Sequence, residues 1–186
     1  MWVLEPKVYH KMPEEVLKGQ DVIHYKKCLR EVKNLYKYSD SCKLDPNTLV
    51  YEVYSYTEGE EKKQGNLFWG LTVMYPIYIN DECNMTRGHF HENRNCAEFY
   101  FGLKGEGLLL LMNKEGEMWA ERICEGSLHH IDGEIAHRIV NVSDDKLMVG
   151  ACWPTTSGHD YQSIERNEFP YRVFKSNGRI KFVKKQ

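Results

Sequence analysis

From Leu49 onward the chain is a succession of short apolar runs separated by small polar clusters. Leu49-Val50-Tyr51-Glu52-Val53-Tyr54-Ser55-Tyr56 and Leu67-Phe68-Trp69-Gly70-Leu71-Thr72-Val73-Met74-Tyr75 are rich in β-branched and aromatic residues, and strand-like runs follow at 85–91, 96–103, 107–113, 117–124, 127–131, 136–142 and 146–153. The separators carry turn chemistry: the polar loop from Glu58 to Gly65, Lys104-Gly105-Glu106-Gly107, Asn113-Lys114-Glu115-Gly116, Glu125-Gly126, Asp132-Gly133 and Ser143-Asp144-Asp145. Many short strands bounded by regular turns predict an all-β sandwich or barrel.

The flanks are less regular. Residues 1–47 are mixed and charged, with Pro6, Pro13 and Pro46 limiting continuous structure. Glu14-Glu15-Val16-Leu17-Lys18 reads as a helical turn, and Cys28-Leu29-Arg30-Glu31-Val32 with Leu35 has a weak helix-like spacing, although Val, Ile and Tyr suit strands equally. After Pro154 the chain is polar through Asn167, and Tyr171-Arg172-Val173-Phe174, Ser176-Asn177-Gly178 and Arg179 to Val183 read as a closing hairpin. With no tandem repeat and no separating linker, the 186 residues are expected to form one domain. Its parts are an N-terminal arm (1–47), a barrel core (48–154) and a C-terminal extension (155–186).

Charge narrows the partners. Lys plus Arg number 25 against 27 for Asp plus Glu, a formal charge of −2, which gives no global attraction to nucleic acid or an anionic membrane. The basic stretch from Arg179 to Lys185 alternates with Ile180 and Phe182 and reads as a solvated strand edge. Six cysteines without a CxxC pair point to reduced thiols in the cytoplasm. No apolar run approaches the roughly 18 residues a membrane span needs. Met1-Trp2-Val3-Leu4-Glu5-Pro6 is too short and too acidic for a signal peptide.

Candidate chemistry centres on Gly88-His89-Phe90-His91. In an extended chain His89 and His91 project to one side and Phe90 to the other. A neighbouring run brings Glu98, and a third brings His137; three imidazoles and a carboxylate suit a divalent transition metal with open coordination positions. Other candidates have plainer readings. Adjacent His129 and His130 face opposite ways and read as structural. Cys96 shares parity with Glu98 but reads as a buried free thiol. His10 and His24 have no evident partner. Of Phe99, Tyr100 and Phe101, Tyr100 alone shares the parity of Glu98. Tyr51 and Tyr54 fall on opposite faces of one strand, and Tyr51 is favoured for the site.

The spacing His89-x-His91-x6-Glu98-x6-Gly105, followed by Gly126-x10-His137-x3-Asn141, resembles the two signature motifs of the cupin superfamily, small β-barrels of jelly-roll (double-stranded β-helix) form that hold a metal with these ligands. Cys83 stands where the leading glycine is expected, and Asp132 and Glu134 replace a proline and a glycine of the second motif, with Gly133 one position off. These departures touch turns rather than ligands. A closer resemblance covers residues 49 to 164. Tyr51-Glu52-Val53-Tyr54, Thr72-Val73-Met74-Tyr75-Pro76, Thr86-Arg87-Gly88-His89-Phe90-His91, Ala97-Glu98-Phe99-Tyr100, Lys104-Gly105-Glu106-Gly107, Ala136-His137-Arg138-Ile139-Val140-Asn141 and Gly158-His159-Asp160-Tyr161 together look like the cupin-type glucose-6-phosphate isomerases.

The resemblance implies a homodimeric enzyme that interconverts glucose 6-phosphate and fructose 6-phosphate with one divalent metal per chain, whether Fe, Mn, Ni, Co or Zn. It implies His89, His91, Glu98 and His137 as ligands, and Thr72, Thr86, Gly88, Tyr100, His159 and Tyr161, with Tyr51, around the sugar phosphate. Hydroxyls and the Gly88 N–H can meet a phosphate dianion without a large basic patch. Glu98 is the candidate base for proton transfer between C1 and C2, with a hydride shift as the alternative route. Trp153 stands where relatives often have tyrosine, which leaves substrate preference open. Two other functions use the same ligands: a non-catalytic sugar or sugar-phosphate sensor, and an iron-dependent dioxygenase. The hydroxyl-rich set around Thr86, Gly88, His159 and Tyr161 argues against the dioxygenase.

Overall fold

The computed structural model describes residues 3–185. Met1 and Trp2, the head of the stretch weighed against a signal peptide, and Gln186 lie outside the described residues. The arm opens with a hairpin of β1 (Val8–Lys11) and β2 (Val16–Gly19), followed by β3 (Ile23–Cys28) and the short helix α1 (Leu29–Val32). The helical turn expected over Glu14 to Lys18 does not form. Val16 and Leu17 instead pair with Lys11 and His10, and Leu17 is buried against Tyr54, Leu71, Val73 and Met148. A local four-residue spacing is outweighed by a tertiary contact that buries a leucine, worth about 1.5–3 kcal/mol. The spacing around Cys28 does make a helix, but only one turn, with the Glu31 carboxylate accepting from the Cys28 N–H at 2.9 Å.

The strands then run β4 (Leu49–Thr57), β5 (Leu67–Met74), β6 (Tyr78–Ile79), β7 (Glu82–Cys83), β8 (Glu98–Lys104), β9 (Gly107–Met112), β10 (Met118–Ile123), β11 (Leu128–Ile131), β12 (Ala136–Asn141) and β13 (Leu147–Pro154). After α2 (Tyr161–Arg166) the hairpin of β14 (Tyr171–Ser176) and β15 (Arg179–Lys184) closes the chain as expected, with β15 on a sheet edge. A six-stranded antiparallel sheet, ordered β11-β8-β13-β5-β4-β3, faces a three-stranded sheet, β10-β9-β12. Val50, Met74, Leu109, Met112, Ile123 and Leu147 fill the space between them. This is an all-β cupin barrel.

The continuous strand expected at 85–91 is absent. The chain there runs beside β12 through isolated bridges, Met85 to Val140 and His89 to His137, and Gly88 at φ +76° breaks the pleat between them. The strand expected from residue 96 starts at Glu98, which leaves Cys96 in the preceding turn. Gly133 is seated so tightly that a Cβ would lie 2.3 Å from the Arg94 carbonyl, and the Asp132 carboxylate accepts from the Glu134 N–H at 2.9 Å. The turn of the second motif is therefore built by a different pair of residues at the same place. Among the described residues no helix is long and apolar enough to cross a membrane.

The β1–β2 hairpin is strapped to the barrel by Glu15, whose carboxylate meets Lys104 and Lys146, each at 2.5 Å. Hydrogen bonds from Lys104 and then Lys146 hold the Glu15 carboxyl below its usual value of 4.5. A carboxyl depressed in the folded state contributes stability above its unfolded value and loses it as pH falls. Glu15→Gln is expected to cost about 1 kcal/mol at pH 7, as partly exposed pairs do. The difference in urea midpoint between the two proteins is expected to shrink steadily as pH falls below 4.5; a difference that does not shrink would contradict the strap.

Candidate metal and substrate site

His89 and His137 form a hydrogen-bonded backbone pair across the seam, with the His137 N–H donating to the His89 carbonyl at 3.0 Å and the reverse bond at 3.2 Å. Their rings lie 4.3 Å apart. His91 comes from the same segment, and Glu98 from the first position of β8 in the facing sheet. One donor atom from each of the four lies within 4.8 Å of the others. His91, Glu98 and His137 are almost completely buried.

The tautomers follow from the partners on the far side of each ring. His91 Nδ1 donates to the Cys96 carbonyl at 2.5 Å and His137 Nδ1 to the Ile135 carbonyl at 3.2 Å, so both Nε2 atoms present lone pairs inward. His91 Nε2 is 3.2 Å from Glu98 Oε1. His137 Nε2 is 2.6 Å from the same oxygen, yet among the described residues it has no partner in hydrogen-bond geometry. Lone pairs and a carboxylate converging in a buried space repel one another unless positive charge sits among them. The donor set therefore fits a divalent cation, and its N₃O composition suits a transition metal.

Protonation follows the same logic. Burial alone would push the Glu98 carboxyl up, but His137 and His91 overcome it and hold it at about 2. Burial lowers His91, and Glu98 more than offsets that, leaving it raised: beside the carboxylate, a proton and a metal cation compete for the same His91 Nε2 lone pair. Burial, reinforced by His137, His159 and His91, keeps His89 well below 6.5 and so neutral.

Beside this cluster is a cavity of about 340 Å³, the size of a small-ligand site. Its floor is the inner face of the six-stranded sheet, where strand alternation aligns Tyr51, Thr72 and Tyr100; the opposite wall carries Thr86, Gly88, His89 and His137, and His159 with Tyr161 closes one side. Thus Tyr51, Thr72, Thr86, Gly88, Tyr100, His159 and Tyr161, the expected substrate-side residues, all line it together with three of the four expected ligands, while His91 lies behind. Tyr54 is on the opposite face, against Leu17. Burial raises the phenols of Tyr100 and Tyr51, the latter to about 12, so both are hydrogen-bond donors. Trp153 lies over Gly70, where a Cβ would come within 2.7 Å of the indole.

Besides apolar Val53, Ile139 and Ala151, four residues with polar side chains that the sequence pattern did not single out also line the cavity: Tyr25, Lys27, Ser55 and Arg87. Tyr25 and Lys27 alternate on β3, and Lys27 pairs with Tyr51. The signal was that alternation, hidden because the arm's pairing with β4 is a long-range choice. The remaining histidines have structural partners: His129 meets Glu121 and Ser127, His130 packs on Phe99, His24 meets Glu52, and His10 accepts from the Trp69 indole.

A family model described as glucose-6-phosphate isomerase matches residues 26–186. The glucose-6-phosphate isomerase of Thermococcus kodakarensis is 37% identical over 146 residues, 78% of this chain and 75% of that protein. That of Pyrococcus horikoshii is 38% identical over 135 residues, 73% and 70% respectively. Among solved structures, oxalate oxidase in complex with the substrate analogue glycolate overlaps at TM-score 0.46 and 11% identity, covering 77% of this chain and 56% of that one.

Calorimetric titration of chelator-treated protein with zinc or nickel is expected to give one ion per chain. His137→Ala should weaken that binding by about tenfold to a hundredfold at least, since removing even an outer partner of a ligand has that effect. Equal binding by both proteins would remove the ion from this cluster.

Proposed function

Because the chain belongs to the glucose-6-phosphate isomerase family, cupin type, we propose that this enzyme interconverts glucose 6-phosphate and fructose 6-phosphate at the cavity beside His137, with one divalent transition metal held by His89, His91, Glu98 and His137. Family membership sets aside the sensor and dioxygenase readings. The observation that carries the proposal is the His137 Nε2 lone pair, buried and unpartnered, aimed with Glu98 at a space that opens on a hydroxyl-lined cavity.

The bound ion supplies positive charge that polarises the sugar carbonyl. The chain supplies the rest. Thr86 Oγ1 accepts from the Ile139 N–H at 3.0 Å, which leaves its O–H to donate into the cavity. With the Thr72 hydroxyl and the Gly88 N–H it forms a phosphate cradle, and Lys27 and Arg87 add charge at the rim. Tyr51, Tyr100, His159 and Tyr161 hold the sugar hydroxyls. Glu98 is the single carboxylate lining the cavity among the described residues and is therefore the candidate base: His91 and His137 both approach its Oε1, and its Oε2 takes a proton from C2 and returns it to C1 while the hydroxyl proton passes from O2 to O1. A direct hydride shift from C2 to C1 would need no such base.

A coupled assay of fructose 6-phosphate conversion is expected to show activity lost on chelation, restored by a divalent transition metal, and abolished in His137→Ala. Glu98→Gln should lower kcat by about 10²–10⁴, the range of a lost general base. Glucose 6-phosphate deuterated at C2 should lose label to solvent; full retention would replace the proton route by the hydride shift.

The reading includes a homodimer in the cytoplasm, formed by the chain as one domain. Six unpaired thiols support the compartment. Phe99, Phe101 and Leu128 support the dimer: they stand exposed on the outer face of β8 and β11, Leu128 directly opposite Phe101. Sedimentation is expected to give a dimer that Phe101→Glu dissociates, and a monomeric wild type would sink this part.

A further inference from the structure

Arg138 lies on β12 between His137 and Ile139, and strand alternation sends it to the outer face, where the Phe169 ring covers its guanidinium at 4.5 Å. It is 6% exposed. Its Nη2 donates to the Arg87 carbonyl and its Nη1 approaches Met85 Sδ at 3.2 Å, while Nε is buried without a partner among the described residues. No carboxylate of the described residues lies within salt-bridge distance; Glu82, the fully buried acid nearby, is taken by Arg172 and the Lys37 N–H, each at 2.8 Å. A buried cation without a counter-charge is costly, so this one calls for an explanation beyond packing.

The explanation is on the other side of the Arg87–Gly88 peptide. A trans peptide points its C=O and N–H in opposite directions. Pinning the Arg87 carbonyl outward to Arg138 turns the Gly88 N–H inward, where Gly88 lines the cavity and where its N–H has no protein acceptor among the described residues. Gly88 also rests flat on the arginine: an added Cβ would meet Arg138 Cβ at 3.0 Å and Nε at 3.1 Å. The glycine and the arginine therefore fix one another.

We propose that Arg138 is a positioning residue for the phosphate of the substrate, aiming the Gly88 N–H at it and placing an unneutralised positive charge directly behind that peptide. The proposal rests on the reading of Thr72, Thr86 and Gly88 as the phosphate cradle. The bound dianion supplies the counter-charge that the fold does not, and the peptide between them relays the charge as an oriented dipole. An arginine that only packs under Phe169 would affect stability and leave phosphate recognition untouched.

The test compares wild type, Arg138→Lys, Arg138→Gln and Thr86→Val for kcat, KM for fructose 6-phosphate, competitive inhibition by inorganic phosphate, metal content and melting temperature. Arg138→Gln is expected to raise KM and the phosphate inhibition constant together by about tenfold, the loss expected for one charge-assisted hydrogen bond, with kcat changed by less than about twofold and metal content unchanged. Arg138→Lys, which keeps the charge without the planar fork, should fall between. If one variant fails to fold, the other decides by the same criterion. Wild-type KM and phosphate inhibition in a folded variant, or a loss confined to kcat, overturns the role of Arg138. If Thr86→Val also leaves phosphate inhibition unchanged, the cradle itself lies elsewhere and both readings fall; if Thr86→Val weakens it and the arginine variants do not, only Arg138 is overturned.

Discussion

The pair of backbone hydrogen bonds between His89 and His137 is the joint on which the site depends. It ties a segment that is not a regular strand to the edge of β12, and so places two imidazoles from positions 48 residues apart in sequence within one small space. The same pairing extends through Thr86 and Ile139, which orients a hydroxyl, and through the close approach of Gly88 to β12. Were this seam continuous strand, the pleat would carry past residue 88 and the Gly88 N–H would be spent on the sheet ladder. The irregularity frees one donor for a ligand.

Facing that seam, the six-stranded sheet supplies a floor whose chemistry is set by alternation. Tyr51, Thr72 and Tyr100 share its inner face, while Glu52, Tyr54 and Phe99 share the outer one. Glu98 is where floor and seam meet. It is surrounded by His91 and His137, each held by a carbonyl at Nδ1, and burial makes their mutual electrostatics strong. Such converging lone pairs favour a bound cation, and one held there would add to the stability of the barrel.

The regular strands were legible in the sequence because period-2 apolar runs and glycine-bearing turns are local signals; β4, β5, β8 to β13 and the closing hairpin lie within a residue or two of where they were expected. The hairpin at Val8 to Gly19 was not, because burial of Leu17 against the barrel overrides a weak helix-like spacing. The break at 85–91 was hidden too, since Gly88 inside an apolar run reads equally as strand or bend. Among site residues, the histidines, Glu98, Thr86 and Gly88 stood out as a spaced pattern. Lys27 and Tyr25 did not, because only the pairing of β3 with β4 turns them toward the cavity.

By itself, then, the sequence determined the residue types at the site, their spacing on strands and the period that faces them inward, since these follow from covalent order and backbone geometry. Only the tertiary structure decided which tautomer each histidine adopts, that the lone pair of His137 is left without a partner, that the N-terminal arm supplies part of the cavity rim, and that a buried arginine stands behind Gly88. Each of these depends on groups far apart in sequence meeting in a space that excludes water. The energy of a lone pair or a charge is fixed by such neighbours, not by its place in the chain.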